Sequence, residues 1–185
     1  MGKKVFIGWI LLTTLLSYEV SSQVTLANDN SIPVTIDESQ LPDPWAGGIN
    51  AAQYGRIDLN GDGTDDLVIY DRSTNLINTF IQADGEFVYN PEYRIYLPEE
   101  LEGWILFKDY DSDGKRDLLA NTSRGIKVYK NITSEGTPPE WELIADPVLT
   151  LGSSWMINLQ VNITDVPDIE DKDCDGDLDV IVNNF

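Results

Sequence analysis

The chain has 185 residues, a formal net charge of −20, no histidine and a single cysteine. This acidity argues against nucleic acid as a partner, because phosphate binding requires exposed Lys and Arg. It also argues against an anionic membrane surface. Cys174 has no internal disulfide partner, so a secreted domain of this kind would gain from another staple, such as a metal ion.

Residues 1–22 have the features of a secretory signal peptide. Lys3 and Lys4 precede an apolar run at residues 5–16, and small residues including Ser22 follow. A membrane anchor is the alternative, but the run of about twelve residues is short of the ~20 needed to span a bilayer. The segment predicts a secreted or cell-surface protein with no membrane insertion after cleavage near Ser22.

The next segment, residues 23–49, is a polar lead-in that contains three prolines and one candidate strand at residues 33–36. After it, one pattern occurs three times: D-x-[DN]-x-D-G-x-x-D followed by Leu or Val. The patterned positions are Asp58, Asn60, Asp62, Gly63 and Asp66; Asp109, Asp111, Asp113, Gly114 and Asp117; and Asp171, Asp173, Asp175, Gly176 and Asp179.

A short oxygen-rich loop with Gly at its sixth position suits a hard cation. Alternate side chains converge on one point, and the Gly permits a sharp turn. Calcium takes six to eight oxygens, whereas magnesium prefers a tighter octahedron and keeps its waters. Asp, Asn and Gly are also ordinary turn formers, but three copies in the same phase favour metal binding, with about one Ca²⁺ per loop.

These loops differ from an EF-hand, which places a bidentate Glu at its twelfth position. Here the twelfth residues are apolar: Ile69, Ala120 and Val182. The last acid stands at position nine, and a short β-branched run follows, which is typical of a buried strand. We therefore predict a loop between two strands. The expected ligands at position seven are the backbone carbonyls of Thr64, Lys115 and Asp177.

Several further strands follow from the short apolar runs between the loops. They are predicted at residues 66–71, 76–82, 87–97, 117–121, 125–131 and 141–149, with residues 103–110 and 158–170 leading into the second and third loops. No segment has a sustained helical period, so the predicted fold class is all-β. Motif starts are separated by 51 and 62 residues, which fits one four-stranded blade per repeat.

The loops, each followed by a buried strand, resemble the calcium loops of FG-GAP or VCBS repeats, the blades of integrin-α-type β-propellers. Residues 50–185 carry this resemblance, and residues 164–182 are similar to repeats of secreted proteins from Bacteroidetes-type bacteria. The Phe-Gly and Gly-Ala-Pro pairs that name the family are absent, and Asn60 replaces an Asp. The resemblance implies a partial propeller, with two blades and the start of a third, whose missing downstream blades belong to the same protein.

For function, the resemblance implies a non-enzymatic binding or adhesion scaffold with an extracellular carbohydrate or protein ligand. The alternative is the propeller portion of a secreted polysaccharide lyase or hydrolase whose catalytic residues lie mostly outside this chain. The absence of His removes the commonest general base. A dockerin-like module is disfavoured because it needs an acid at position twelve and a following helix. Trp45, Trp104, Trp141 and Trp155 could form a sugar platform, but packing between blades is the stronger expectation.

Overall fold

The computed structural model describes residues 29 and 31–182, and within them the all-β prediction is confirmed. Fourteen strands, all paired antiparallel, account for the regular structure together with one 3₁₀ helix. The predicted signal peptide lies outside the described residues. Among the described residues, no helix has the length and apolar character needed to cross a membrane.

Two four-stranded sheets form the centre of the molecule, and each is one blade. Blade 1 contains β3 (Ala52–Ile57), β4 (Asp66–Asp71), β5 (Leu76–Ala83) and β6 (Glu86–Tyr89), hydrogen-bonded in that order. Blade 2 repeats the meander with β7 (Ile105–Lys108), β8 (Asp117–Thr122), β9 (Gly125–Asn131) and β10 (Trp141–Ala145).

Three two-stranded sheets complete the described structure. The first pairs β1 (Thr35–Ile36) with β2 (Ser39–Gln40) in the lead-in, and the second pairs β11 (Leu149–Leu151) with β12 (Met156–Asn158). The third pairs β13 (Asp168–Glu170) with β14 (Asp179–Ile181) and places the third motif as the earlier blades place theirs. The blades do not form a closed ring within residues 29 and 31–182.

The second strand of each complete blade is its most buried element. In β4, five of six residues are buried, and in β8 another five are. Burial at consecutive positions is expected for strands that are covered on both faces. One apolar cluster lies between blades 1 and 2 and includes Val68, Tyr70, Leu118 and Ala120. A second cluster, around Trp104, lies between blade 2 and β13.

Three predicted strand segments are shorter than their apolar residues suggested. The one predicted at residues 141–149 ends at Ala145, and Leu149 begins the separate strand β11. The strand predicted at residues 87–97 ends at Tyr89, and a 3₁₀ helix, Pro91–Tyr96, replaces the rest. The side chain of Asn90 accepts from the N–H of Glu92, and Pro91 fits the first helical position, so this pair starts a helical turn. Residues 158–170 are mostly irregular, and only β13 within them is regular beyond Asn158.

Asp71, at the end of β4, ties the start of blade 1 to its second turn. Its Oδ1 accepts from the backbone N–H and hydroxyl of Ser73 and from Ala51 N–H, and its Oδ2 accepts from Asn50 N–H. The bonds from Ser73, followed by that from Asn50, hold the pKa of Asp71 down to about 2.

We expect Asp71→Asn to lower the melting temperature at neutral pH, because the new amide donor would face the N–H of Asn50. A depressed folded pKa contributes stability above the ordinary value of 3.8, and this contribution is lost as pH falls toward about 2. The difference in melting temperature between wild type and Asp71→Asn should therefore shrink as the pH is lowered. Thermal melts between pH 7 and pH 3 check this, with exposed Asp84→Asn as the charge-matched control. A melting-temperature difference that is constant over this pH range would contradict the stabilising role of the ionised Asp71 carboxylate.

Candidate metal centre

In blades 1 and 2 the motif forms the loop between the first two strands, and the third motif forms the loop between β13 and β14. The loops occupy residues 58–65, 109–116 and 171–178, and the ninth-position Asp is the first residue of the following strand. Pairing is the same in all three: the residue before the motif faces the ninth residue, in the pairs Ile57 with Asp66, Lys108 with Asp117, and Glu170 with Asp179. The predicted strand-to-strand loop is therefore observed three times.

The first-position Asp organises the backbone of its loop. In loop 1, Asp58 Oδ1 accepts from the N–H of Asn60, Gly61 and Asp62. Its Oδ2 accepts from Gly63 N–H at 2.8 Å. The bonds from positions five and six recur at Asp109 and Asp171, so the three loops share one backbone frame.

The fifth-position Asp closes the second half of the loop. Asp62, Asp113 and Asp175 each accept the N–H of the residue two positions later. Those donors are Thr64, Lys115 and Asp177, the residues whose carbonyls were predicted to be ligands. The N–H positions are observed; ligation by the carbonyls stays a prediction.

The ninth-position Asp connects the loop to the rest of the sheet. Asp66 is fully buried; its Oδ2 accepts from Leu59 N–H and its Oδ1 from Gln82 N–H in β5, both at 2.8 Å. Asp117 repeats this with Tyr110 and with Asn131 in β9. In loop 3, Asp179 accepts from Lys172 N–H. The carboxylate thus takes the place of a backbone carbonyl at the end of the ladder.

Burial makes these ninth-position carboxylates electrostatically costly. Desolvation raises the pKa of Asp66 and of Asp117, the accepted N–H bonds oppose it, and the neighbouring loop carboxylates raise the pKa further. In loop 3, the side-chain contact with Asp175 raises the pKa of Asp177. A divalent cation among these carboxylates would offset their mutual repulsion and favour their charged form.

The donor set fits calcium in chemistry and in spacing. In loop 2, Asp109, Asp111 and Asp117 bring one carboxylate oxygen each within 4.8 Å of one another, and Asp171, Asp173 and Asp179 do the same in loop 3. In loop 1 the third position is Asn60, whose amide oxygen is also a hard ligand. The structure therefore brings positions one, three and nine together in loops 2 and 3. The sequence predicted a ligand set in all three loops, and ligation itself stays a prediction.

Each loop contains two residues with a left-handed backbone conformation, and the sequence indicated only the sixth-position glycine. The sixth-position glycines have φ of +82°, +86° and +99°. The fourth-position residues, Gly61, Ser112 and Cys174, are left-handed as well, with φ of 79°, 62° and 63°. The Gly in loop 1 was the available signal, but Ser and Cys at the same position in the other loops obscured it.

Two charged contacts were missed by sequence reasoning. Arg116 Nη1 lies 2.6 Å from Asp65 Oδ2, joining the eighth positions of loops 2 and 1 across the blade interface. Their opposite charges at one motif position were a readable signal. Lys130 of β9 contacts Asp111 and lies 3.1 Å from Asp113 Oδ2; nothing in the motif points to a residue so far along the chain.

Loops 1 and 2 and residues 131–137 surround an open cleft of about 1320 Å³. Acidic and basic side chains both line it, including Asp58, Lys108 and Lys115. Lys115 Nζ donates to Thr133 O at 2.8 Å and so ties loop 2 to the far wall. The cleft places the first two candidate metal loops side by side.

The comparisons with known proteins agree with this geometry. Residues 58–120, from the first loop through most of β8, match the family model of the FG-GAP-like repeat. No curated protein and no solved structure matches the chain. The family resemblance stated from the sequence is confirmed for this segment, which is a propeller-type repeat.

We expect Gly61→Ala to destabilise the chain more than Gly63→Ala. Both residues are left-handed, so either Cβ costs about 1 kcal/mol. A Cβ on Gly61 would also lie 2.6 Å from Gly136 C and Thr137 N, whereas the space around Gly63 is open. Moving that backbone should add about 1–3 kcal/mol. Urea unfolding in chelator measures both variants, and equal losses would contradict this close approach.

Proposed function

We propose that this FG-GAP-like repeat chain is a calcium-stabilised β-propeller segment of a secreted or cell-surface protein, acting as a non-enzymatic binding scaffold. The observation that carries the proposal is the threefold repetition of one loop frame. Each loop has oxygen-bearing side chains at its first, third and ninth positions. In all three loops, the first-position carboxylate accepts a hydrogen bond from the sixth-position N–H, and the ninth-position carboxylate accepts one from the second-position N–H. The same backbone frame occurs three times in one chain and each time brings together carboxylates that repel one another. This repetition supports cation binding as the common role of the three loops.

Calcium would be structural in this scheme. It would bind the first-, third-, fifth- and ninth-position side chains and the seventh-position carbonyl of each loop. Because the ninth-position Asp also accepts N–H bonds from the loop and, in blades 1 and 2, from the third strand, the ion would hold three parts of a blade together. An FG-GAP-like repeat is a scaffold type of domain, which agrees with a role in presenting a surface rather than in catalysis.

Two surfaces support a ligand-binding role, with extracellular carbohydrate or protein as the ligand class. One is the cleft beside loops 1 and 2. The other is the β11–β12 hairpin, where Trp155 is 69% exposed. Trp104, in contrast, is fully buried, and Trp141 packs against the cluster between blades 1 and 2. Of the four tryptophans considered as a sugar platform, Trp45 and Trp155 remain exposed.

A calorimetric calcium titration of the purified chain tests the metal role. We expect three ions per chain and a melting temperature that rises with calcium, since a ligand at 100 times its dissociation constant stabilises by about 2.7 kcal/mol per site. Magnesium at the same concentration is the control and should stabilise less. Absence of calcium binding, or an identical melt in chelator, would overturn the proposal.

The scaffold role is tested separately, by binding of the calcium-loaded chain to immobilised polysaccharides and to extracellular matrix proteins. We expect Trp155→Ala to weaken carbohydrate binding without changing the melting temperature, because this side chain is mostly exposed. Trp45→Ala serves as the comparison at the second exposed tryptophan. If neither ligand class is retained by the wild-type chain, the binding role fails while the metal role stands.

A further inference from the structure

Loop 2 differs from the other loops because a lysine lies against its ligands. Lys130, on β9, forms ion pairs with Asp111 Oδ2 and with Asp113 Oδ2. These are the third- and fifth-position carboxylates, two of the side chains on which the proposed calcium site depends. All three side chains are about 30% exposed, so the pairs are partly shielded from water.

The equivalent position in blade 1 carries no charge. Phe80 pairs with Leu67 as Tyr129 pairs with Leu118, so the next residue along the third strand is Ile81 in blade 1 and Lys130 in blade 2. Ile81 is partly buried and packs against the cluster between blades 1 and 2. The blade architecture therefore does not require a lysine here, and its presence is a feature of loop 2.

In loop 3 the nearby lysine has different partners. Lys172 pairs with Asp168 and Glu170, which lie in β13 before the loop. Among the described residues, Lys130 is the lysine whose ion pairs engage third- and fifth-position carboxylates. Lys172 is the second residue of loop 3, and its ammonium pairs with neither the third- nor the fifth-position carboxylate, so it offers a matched comparison for the charge of Lys130.

We propose that Lys130 is the residue that sets the calcium affinity of loop 2, by acting as an internal counter-ion that calcium must displace. This inference rests on the proposed calcium role of the loops. With calcium absent, the ammonium neutralises part of the charge on Asp111 and Asp113 and holds the loop in its folded shape. With calcium present, the same carboxylates turn to the ion, and the ammonium is left beside a divalent cation that repels it.

The two states predict effects of opposite sign for removal of the ammonium. Lys130→Met keeps much of the aliphatic length of the side chain and removes the charge. In chelator it should lower the melting temperature, because Asp111 and Asp113 lose their counter-ion. In calcium, loop 2 should bind roughly tenfold more tightly, equivalent to about 1.4 kcal/mol. A lysine with only a packing role would give the first effect without the second.

The experiment is a calcium titration by calorimetry on the full chain, with melts in chelator and in calcium. Asp111→Ala removes one loop 2 ligand, so the change in stoichiometry assigns the loop 2 site. The gain from Lys130→Met should vanish when both substitutions are combined. Lys130→Arg keeps the charge and should keep the lower affinity, and Lys172→Met controls for net charge. Lys130→Gln provides a second neutral variant if Lys130→Met does not fold.

The outcomes separate this inference from the proposed function. Three bound ions, with a loop 2 affinity that rises in Lys130→Met and is unchanged in Lys172→Met, support it. Three bound ions with the same loop 2 affinity in wild type and both neutral variants overturn the role of Lys130 and leave the calcium role intact. No calcium binding in the wild-type chain overturns the proposed function and this inference together.

Discussion

The buried carboxylate at the ninth motif position is the constraint on which the rest of the blade depends. Asp66 and Asp117 each accept one N–H from their own loop and one from the third strand of their own blade. A single side chain thus fixes where the loop ends, where the second strand begins and how far the third strand pairs. The two accepted N–H bonds offset part of the cost of burying this carboxylate, and without them that cost would exceed what most single contacts gain.

This arrangement explains why acids are concentrated in the loops. Thirteen of the 32 acidic residues lie between the first and ninth motif positions. The first- and fifth-position carboxylates accept hydrogen bonds from backbone N–H groups in the loop. Without these carboxylates, those N–H groups would lose their acceptors. The same oxygens that shape the backbone also converge on one point, so the frame and the candidate metal site are built from one set of side chains. Burial of the ninth-position carboxylate, and to a smaller extent repulsion from the other loop carboxylates, is the cost of this dual use, and both raise the pKa of Asp66 and of Asp117.

Most of the architecture was predictable because the relevant signals are local. The motif fixes a loop, the β-branched run after it fixes a buried strand, and the repetition fixes blades. The helical turn at Pro91–Tyr96 was missed because its apolar residues alternate as in a strand, while the deciding interaction is a cap from Asn90. The Lys130 contact was missed for a different reason. It depends on strand register between β8 and β9, and a one-residue change of register would turn the lysine to the other face.

The three loops therefore share a backbone frame but differ in the side chains that surround it. Loop 1 has Asn60 in place of an Asp and a glycine pressed against residues 136–137. In loop 2, Lys130 pairs with the third- and fifth-position carboxylates, and loop 3 has an acid at position seven. If the loops bind calcium as proposed, the shared backbone frame would enclose each ion, and these differing side chains would set how tightly each loop holds it.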